Sequence, residues 1–331
     1  MRGTAVLIGG TISLLLLNGT AFADACIPKV AASLDMIDEP DGRVAVAVGI
    51  AGAPHRMLIG TTATHSEMFE PAVAAGGYRT LGLSQSTTFD VFGGHASGYT
   101  QVDSLTLGAM LGGKVDMLVT PGPYAADPDV AGVLGADLLG NFDLDLDFAK
   151  HKVNFLVPGS CANGFAGLGE PFTSLPMADA IGGSLRAGAR SPVTTPMMLD
   201  GKPVAVALDT LAIAMRMRFD VAKARFGLTA TSPGMTPLPE SRAGNPAYRY
   251  QFHVLTADGI AIDAPKIVLT GDPDALPCNG AAHPRLGALE GTFSTYTCRT
   301  GGDLTVGVHW MRRMHWVFAY KSGTIHFAAA H

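Results

Sequence analysis

The sequence predicts an all-β protein made of two similar halves, and three observations point to it. Forty-one glycines and 21 prolines stand against only 15% charged residues, a balance that favours short strands between turns, whereas long helices draw on Glu, Lys and Arg. Phe142–Phe148 alternates apolar and polar residues, the period of a half-buried strand. Residues from about 200 onward repeat the plan of residues from about 50. With 331 residues and 47% hydrophobic content, the chain can bury a substantial core and has the length of two domains. A net charge of −5 with no basic run lacks the electrostatic footprint of a nucleic-acid binder.

The N-terminus carries Arg2, an apolar run from Ala5 to Leu17, then Ala21-Phe22-Ala23, the basic, hydrophobic and small-residue parts of a signal peptide over residues 1–25. That run is shorter than the roughly 20 residues of a spanning helix, and no later segment reaches that length. The expectation is an exported, periplasmic or secreted protein with no transmembrane span. Cleavage after Ala23 or Ala25 leaves Cys26 near the new terminus, so a lipid anchor there is the alternative. Cys26, Cys161, Cys278 and Cys298 are even in number, which in an exported chain fits two disulfides better than a metal site. Three pairings are open. The most economical joins Cys278 to Cys298 around a Gly- and Pro-containing loop, and Cys26 to Cys161.

The first half, residues 26–160, carries a turn block, Leu58-Ile59-Gly60-Thr61-Thr62-Ala63, after a strand-like run. A short helix is expected around Ser66–Ala75, where Ala and Met replace β-branched residues. The Gly-rich Phe92–Tyr99 reads as a mobile hairpin. Phe142–Phe148 and Val153–Phe155 read as strands joined by a turn at Ala149–Lys152. Residues 161–195, rich in Pro and Gly, read as a linker to the second half, 196–331. There Ala207-Leu208-Asp209-Thr210-Leu211-Ala212 is the turn block, followed by a helix around Met215–Phe226 and an aromatic β stretch at Tyr248–Phe252.

The halves align in two registers. Placing Gly52 on Gly201 and Pro54 on Pro203 sets an offset of 149 that puts Gly60 on Asp209, Thr61 on Thr210 and Ala63 on Ala212. Placing Gly135 on Gly307 sets an offset of 172, which carries Val133–Leu139 onto Thr305–Met311 and Phe142–Phe148 onto Met314–Tyr320.

A strand ending in hydrophobic-hydrophobic-Asp-Thr-Gly, followed some 75 to 100 residues later by hydrophobic-hydrophobic-Gly, resembles one lobe of the pepsin-like and retropepsin-like aspartic peptidases. Here that plan occurs twice, and the block Gly132–Leu139 is similar to the bacterial exported members. The resemblance implies a two-lobed acid-protease fold whose lobes each supply an aspartate. It further implies two threonines bracing the lobes, a flap including Gly93, Gly94, Gly98 and Tyr99, and a polypeptide in the cleft between lobes. No cofactor or metal is implied, and one chain holding both lobes needs no dimer, so a monomer is expected. The chemistry requires two carboxyls sharing a proton, one ionised to activate water and one protonated to polarise the peptide carbonyl.

The sequence departs from this pattern in both halves. Gly60 stands where the first aspartate is expected and Thr62 where its glycine is; the second half keeps Asp209 and Thr210 but has Leu211 in place of glycine. Lost acid–base partnership typically lowers rate about 10²–10⁴-fold, so impaired catalysis is expected. The alternatives are an endopeptidase using Asp209 with an unrecognised acid, and a structural envelope protein whose cleft is filled. Asp137, Asp143, Asp145 and Asp147 are expected on a solvated polar face, and His65 at an exposed helix start. His309, His315 and His326 are read as surface histidines rather than a metal site. Met215 and Met217, alternating with Arg216 and Arg218, read as packing. Gly108–Lys114 has phosphate-loop spacing, but Val115 follows where Ser or Thr would hold magnesium. No Gly-x-Ser-x-Gly, His-Glu-x-x-His or Gly-x-Gly-x-x-Gly motif is found.

Overall fold

The computed structural model describes residues 26–83, 90–92, 94–124, 127, 129–161, 164–169, 171–179, 193–239, 246–271 and 302–329. The signal-peptide segment, Gly93, Cys278 and Cys298 lie outside the described residues, as does much of the linker segment.

The chain is all-β and two-lobed, with short helices. In the first lobe, β2 (Val44–Ile50), β3 (Ala53–Ile59), β4 (Glu67–Phe69), β5 (Gly98–Val102), β6 (Val115–Thr120) and β7 (Val130–Leu134) follow strand β1 (Val30–Asp35). Their order across the sheet is β2-β3-β7-β4-β6-β5. Helix α1 (Glu70–Ala75) follows β4, α2 (Ala136–Leu139) follows β7, and the lobe ends on β8 (Asp143–Asp147) and β9 (Lys152–Leu156). After β10 (Thr173–Pro176), which lies in the expected linker, the second lobe runs β11 (Val193–Leu199), β12 (Lys202–Asp209), β13 (Arg216–Arg218) and α3 (Phe219–Phe226). It continues with β14 (Ala247–Gln251), β15 (Lys266–Thr270), β16 (Leu304–Gly307), α4 (Val308–Met311), β17 (Met314–Ala319) and β18 (Thr324–Ala329).

The second sheet, β11-β12-β16-β13-β15-β14, repeats the first step by step. β3 runs parallel to β7 as β12 does to β16, and β4 parallel to β6 as β13 does to β15. Two local features fix this plan. The β2–β3 and β11–β12 hairpins turn on Ala51-Gly52 (φ 47° and 86°) and Asp200-Gly201 (φ 48° and 74°), two-residue loops whose left-handed backbone matches the twist of the strands. Gly135 and Gly307 open α2 and α4 where the chain crosses itself: a Cβ there would lie 2.3 Å from the His65 carbonyl carbon and 2.6 Å from that of Ile213.

A third sheet, β1-β9-β8-β17-β18-β10, joins the lobes through the antiparallel pair β8–β17, from Asp143↔Ala319 to Leu146↔Trp316. One of its faces, with Leu144, Leu146, Phe155, Trp316 and Phe318, belongs to the core shared by both lobes.

The other face corrects three expectations. Asp143, Asp145 and Asp147 are not solvated: their exposures are 4%, 1% and 4%. His315, read as a surface residue, is buried, and His326 is half-buried. The cause is a covering segment: Phe165 and Phe172 pack on this face with Leu168, their rings 4.9 Å from His326 and 5.0 Å from His315, and the Cys26–Cys161 disulfide ties the start of that segment down. Asp145 accepts from Asn154 at 2.8 Å and contacts His315 Nε2 at 2.6 Å. Asp147 is bound by the backbone amide and Nζ of Lys150. Asp137, on α2, is also not a solvated acid, since it accepts from the Ser66 amide at 3.0 Å and the Ser66 hydroxyl at 2.7 Å.

Both expected helices begin later than read. Glu67–Phe69 and Arg216–Arg218 are strands because each finds parallel partners, in β6 and β15, and tertiary pairing outweighs weak helix propensity. Met215 and Met217 are buried. His65 is exposed and bonded to Thr64, but precedes a strand.

Candidate functional site

The two turn blocks meet at the centre of the molecule. Thr61 and Thr210 are buried and exchange hydrogen bonds reciprocally: the Thr61 amide donates to Thr210 Oγ1 at 3.2 Å, and the Thr210 amide to Thr61 Oγ1 at 3.1 Å. Thr61 Oγ1 donates onward to the Leu208 carbonyl at 2.7 Å, and Thr210 Oγ1 to that of Ile59. Every group in this buried cross-brace thus has a partner, as buried polar groups require. Behind it the symmetry continues, with the Ala136 amide on the Ala63 carbonyl at 2.8 Å and the Val308 amide on that of Ala212 at 2.7 Å.

Asp209 ends β12 beside this brace. Its Oδ1 accepts from the Leu211 amide at 2.9 Å. Burial pushes its carboxyl above the usual carboxylate range, opposed by that amide, the Thr62 hydroxyl, the Arg43 guanidinium and the Ala212 amide. Thr62, at an expected glycine position, therefore serves the aspartate of the opposite lobe. The charge that acts on Asp209 is a cation.

At the matching position Gly60 is buried, and a Cβ there would stand 2.6 Å from Val133 Cγ1 and 2.8 Å from Ala63 Cβ. The first turn is packed around a residue with no side chain. Leu211 is buried at 6% and packs among first-lobe residues including Leu58, Phe69 and Val133. Its carbonyl accepts from Arg43 Nε at 2.6 Å.

Arg43, Asp41 and Tyr124 form a group that no motif indicated. Arg43 pairs with Asp41, Tyr124 donates to Asp41 at 2.6 Å, and the guanidinium lies 4.7 Å from the Phe92 ring centre. Against the penalty of burial, the Tyr124 hydroxyl and Arg43 hold the Asp41 carboxyl below its usual value, while burial and Asp41 raise Tyr124. Arg43 lies just before β2, and its contacts Tyr124 and Leu211 are distant in sequence, so only the folded chain assembles the group.

In the expected flap, Asp90–Val91 pairs with Gly94–His95, and Phe92 donates its amide to Glu67 at 2.9 Å. Gly98 begins β5 and Tyr99 pairs with Leu118. Gly135 and Gly307 sit at the chain crossings behind the brace, and Gly307 is the parallel register partner of Asp209. Among the described residues no cluster of His, Cys, Asp or Glu has the makings of a metal site, and no helix is long and apolar enough to cross a membrane.

No protein-family model matches the chain, and no curated protein matches it. Among solved structures it is similar to a retropepsin-like aspartic protease from Rickettsia conorii, at 12% identity and a TM-score of 0.28, over 38% of this chain and 91% of that one.

Proposed function

We propose that the chain is an exported relative of the aspartic peptidases that has lost ordinary peptidase chemistry and keeps a cleft for polypeptide between its lobes. The observation that supports it most is the inequality of the two matched positions. Asp209 has Gly60 as its counterpart, and the charge acting on it is Arg43. Peptide hydrolysis on this plan needs a second carboxyl to share the proton; a guanidinium cannot take a proton from water. The chain acts as a monomer, and the Cys26–Cys161 disulfide fits an oxidising compartment, periplasmic or extracellular.

A second reading, a structural envelope protein with its cleft filled, is favoured by the burial of Leu211 among first-lobe side chains. The test is incubation with a mixture of unfolded peptides between about pH 3 and 8, the range in which carboxyl and imidazole groups titrate, read by mass spectrometry. No cleavage is expected, and pepstatin-sensitive cleavage lost in Asp209→Asn would overturn the proposal. Retention of neutral extended peptides by the intact chain separates the binding reading from the structural one.

A further inference from the structure

The sheet face that carries Asp209 also carries an open row of cations. Across the second sheet, Arg249 on β14, Val268 on β15, Arg216 on β13, Thr305 on β16 and Ala207 on β12 are register partners in turn, so their side chains share one face. Asp209, two residues beyond Ala207, points the same way. Lys266, two before Val268, extends the row. Arg216, Arg249 and Lys266 are exposed, and among the described residues none has an acidic partner, whereas neighbouring Arg218 is paired with Asp220 at 2.9 Å.

The duplicated first lobe gives the comparison. Its matching row is Tyr99, Leu118, Glu67, Val133 and Leu58, and there Leu118, Glu67, Val133 and Leu58 are all buried. Glu67 accepts from the Phe92 amide, and Phe92 and Leu211 lie against Leu58 and Val133. One face is closed by the chain's own residues; the other is buried at Ala207 but, among the described residues, open at Arg216 and Arg249, and bears Arg where the first bears Glu. In a chain of net charge −5, two arginines flanking one strand, with Cα atoms about 10 Å apart, are an anion-recognising arrangement.

We propose that this face of the second lobe selects an extended acidic polypeptide, with Arg216 and Arg249 each taking a carboxylate through the guanidinium fork. Alternate side chains of an extended strand lie about 7 Å apart on one side, within the reach of two long arginine side chains, and guanidinium–carboxylate pairs are bidentate. The inference rests on the peptide-binding reading above and names the ligand class of that site.

The test measures fluorescence anisotropy of the intact chain with a labelled ten-residue peptide carrying Glu at alternate positions in an Ala/Thr background, and with its Gln counterpart. The Glu peptide is expected to bind about tenfold more tightly, with that preference lost in the double variant Arg216→Gln/Arg249→Gln, weakened but still present in Arg216→Lys/Arg249→Lys, which keeps the charge without the fork, and reduced by salt. Equal binding of both peptides overturns the acidic preference and leaves the peptide-binding reading standing. Binding of neither overturns both. A ten-nucleotide oligothymidylate that binds as tightly as the Glu peptide shows unselective anion attraction and also overturns the inference.

Discussion

Asp209 is one residue whose protonation the fold sets. Burial raises its carboxyl, so the folded chain holds that proton more tightly than the unfolded chain, whose value is about 3.9. Its contribution to stability is therefore full below the unfolded value and lost as pH rises through the folded one. Asp209→Asn, which keeps an acceptor for the Leu211 amide, should match the parent chain in acid and be more stable than it at neutral pH, as measured by urea unfolding at both. Restoring an acid at the other position is the converse case. Because a Cβ at 60 meets Val133 and Ala63, Gly60→Asp is expected to lower stability by about 1–3 kcal/mol and to restore no cleavage by itself; rapid peptide hydrolysis by this variant would refute that packing argument. The Gly60/Asp209 inequality was legible in the sequence because the repeat aligns the two positions. Arg43 was not, since its partners Asp41, Tyr124 and Leu211 come from three separate segments.

At the scale of elements, period alone misled where a segment of irregular chain supplied the second half of the environment. β8 reads DLDLD, an alternation that signals a strand with one wet face, and the strand is where the pattern put it. The face is dry because Phe165, Leu168 and Phe172 pack across it, and nothing local to β8 encodes that. The buried Asp145–His315 contact spans β8 and β17, one strand from each lobe. Removing one member of a buried pair leaves the other uncompensated at a cost of about 3–5 kcal/mol. His315→Ala should lower unfolding free energy by that order, and Asp145→Ala/His315→Ala by less than the two single losses together. Additive losses in this double-mutant cycle would show that the pair is not coupled.

The whole molecule is held by three seams: the threonine brace, the β8–β17 pairing and the Cys26–Cys161 disulfide, whose cysteines are 135 residues apart. A crosslink closing so long a loop contributes up to about 5 kcal/mol by restricting the unfolded chain. Cys26→Ser/Cys161→Ser is expected to lose about 2–5 kcal/mol in denaturant unfolding, and an unchanged midpoint would contradict that role. The duplication was legible in its two matched blocks, since both offsets recur as hydrogen bonds: Thr61 with Thr210, and Ala136 on Ala63 as Val308 on Ala212. What the repeat could not show is that the two lobes diverged in their faces, one closed over Glu67 and one open at Arg216, because burial is a property of what covers a strand. The central claim is that a single carboxyl occupies a site built for two, and the most direct measurement is the carbon-13 NMR titration of the Asp209 carboxyl in the intact chain. One transition displaced above the ordinary aspartate range is predicted; a two-step titration shared with a second carboxyl would contradict the account.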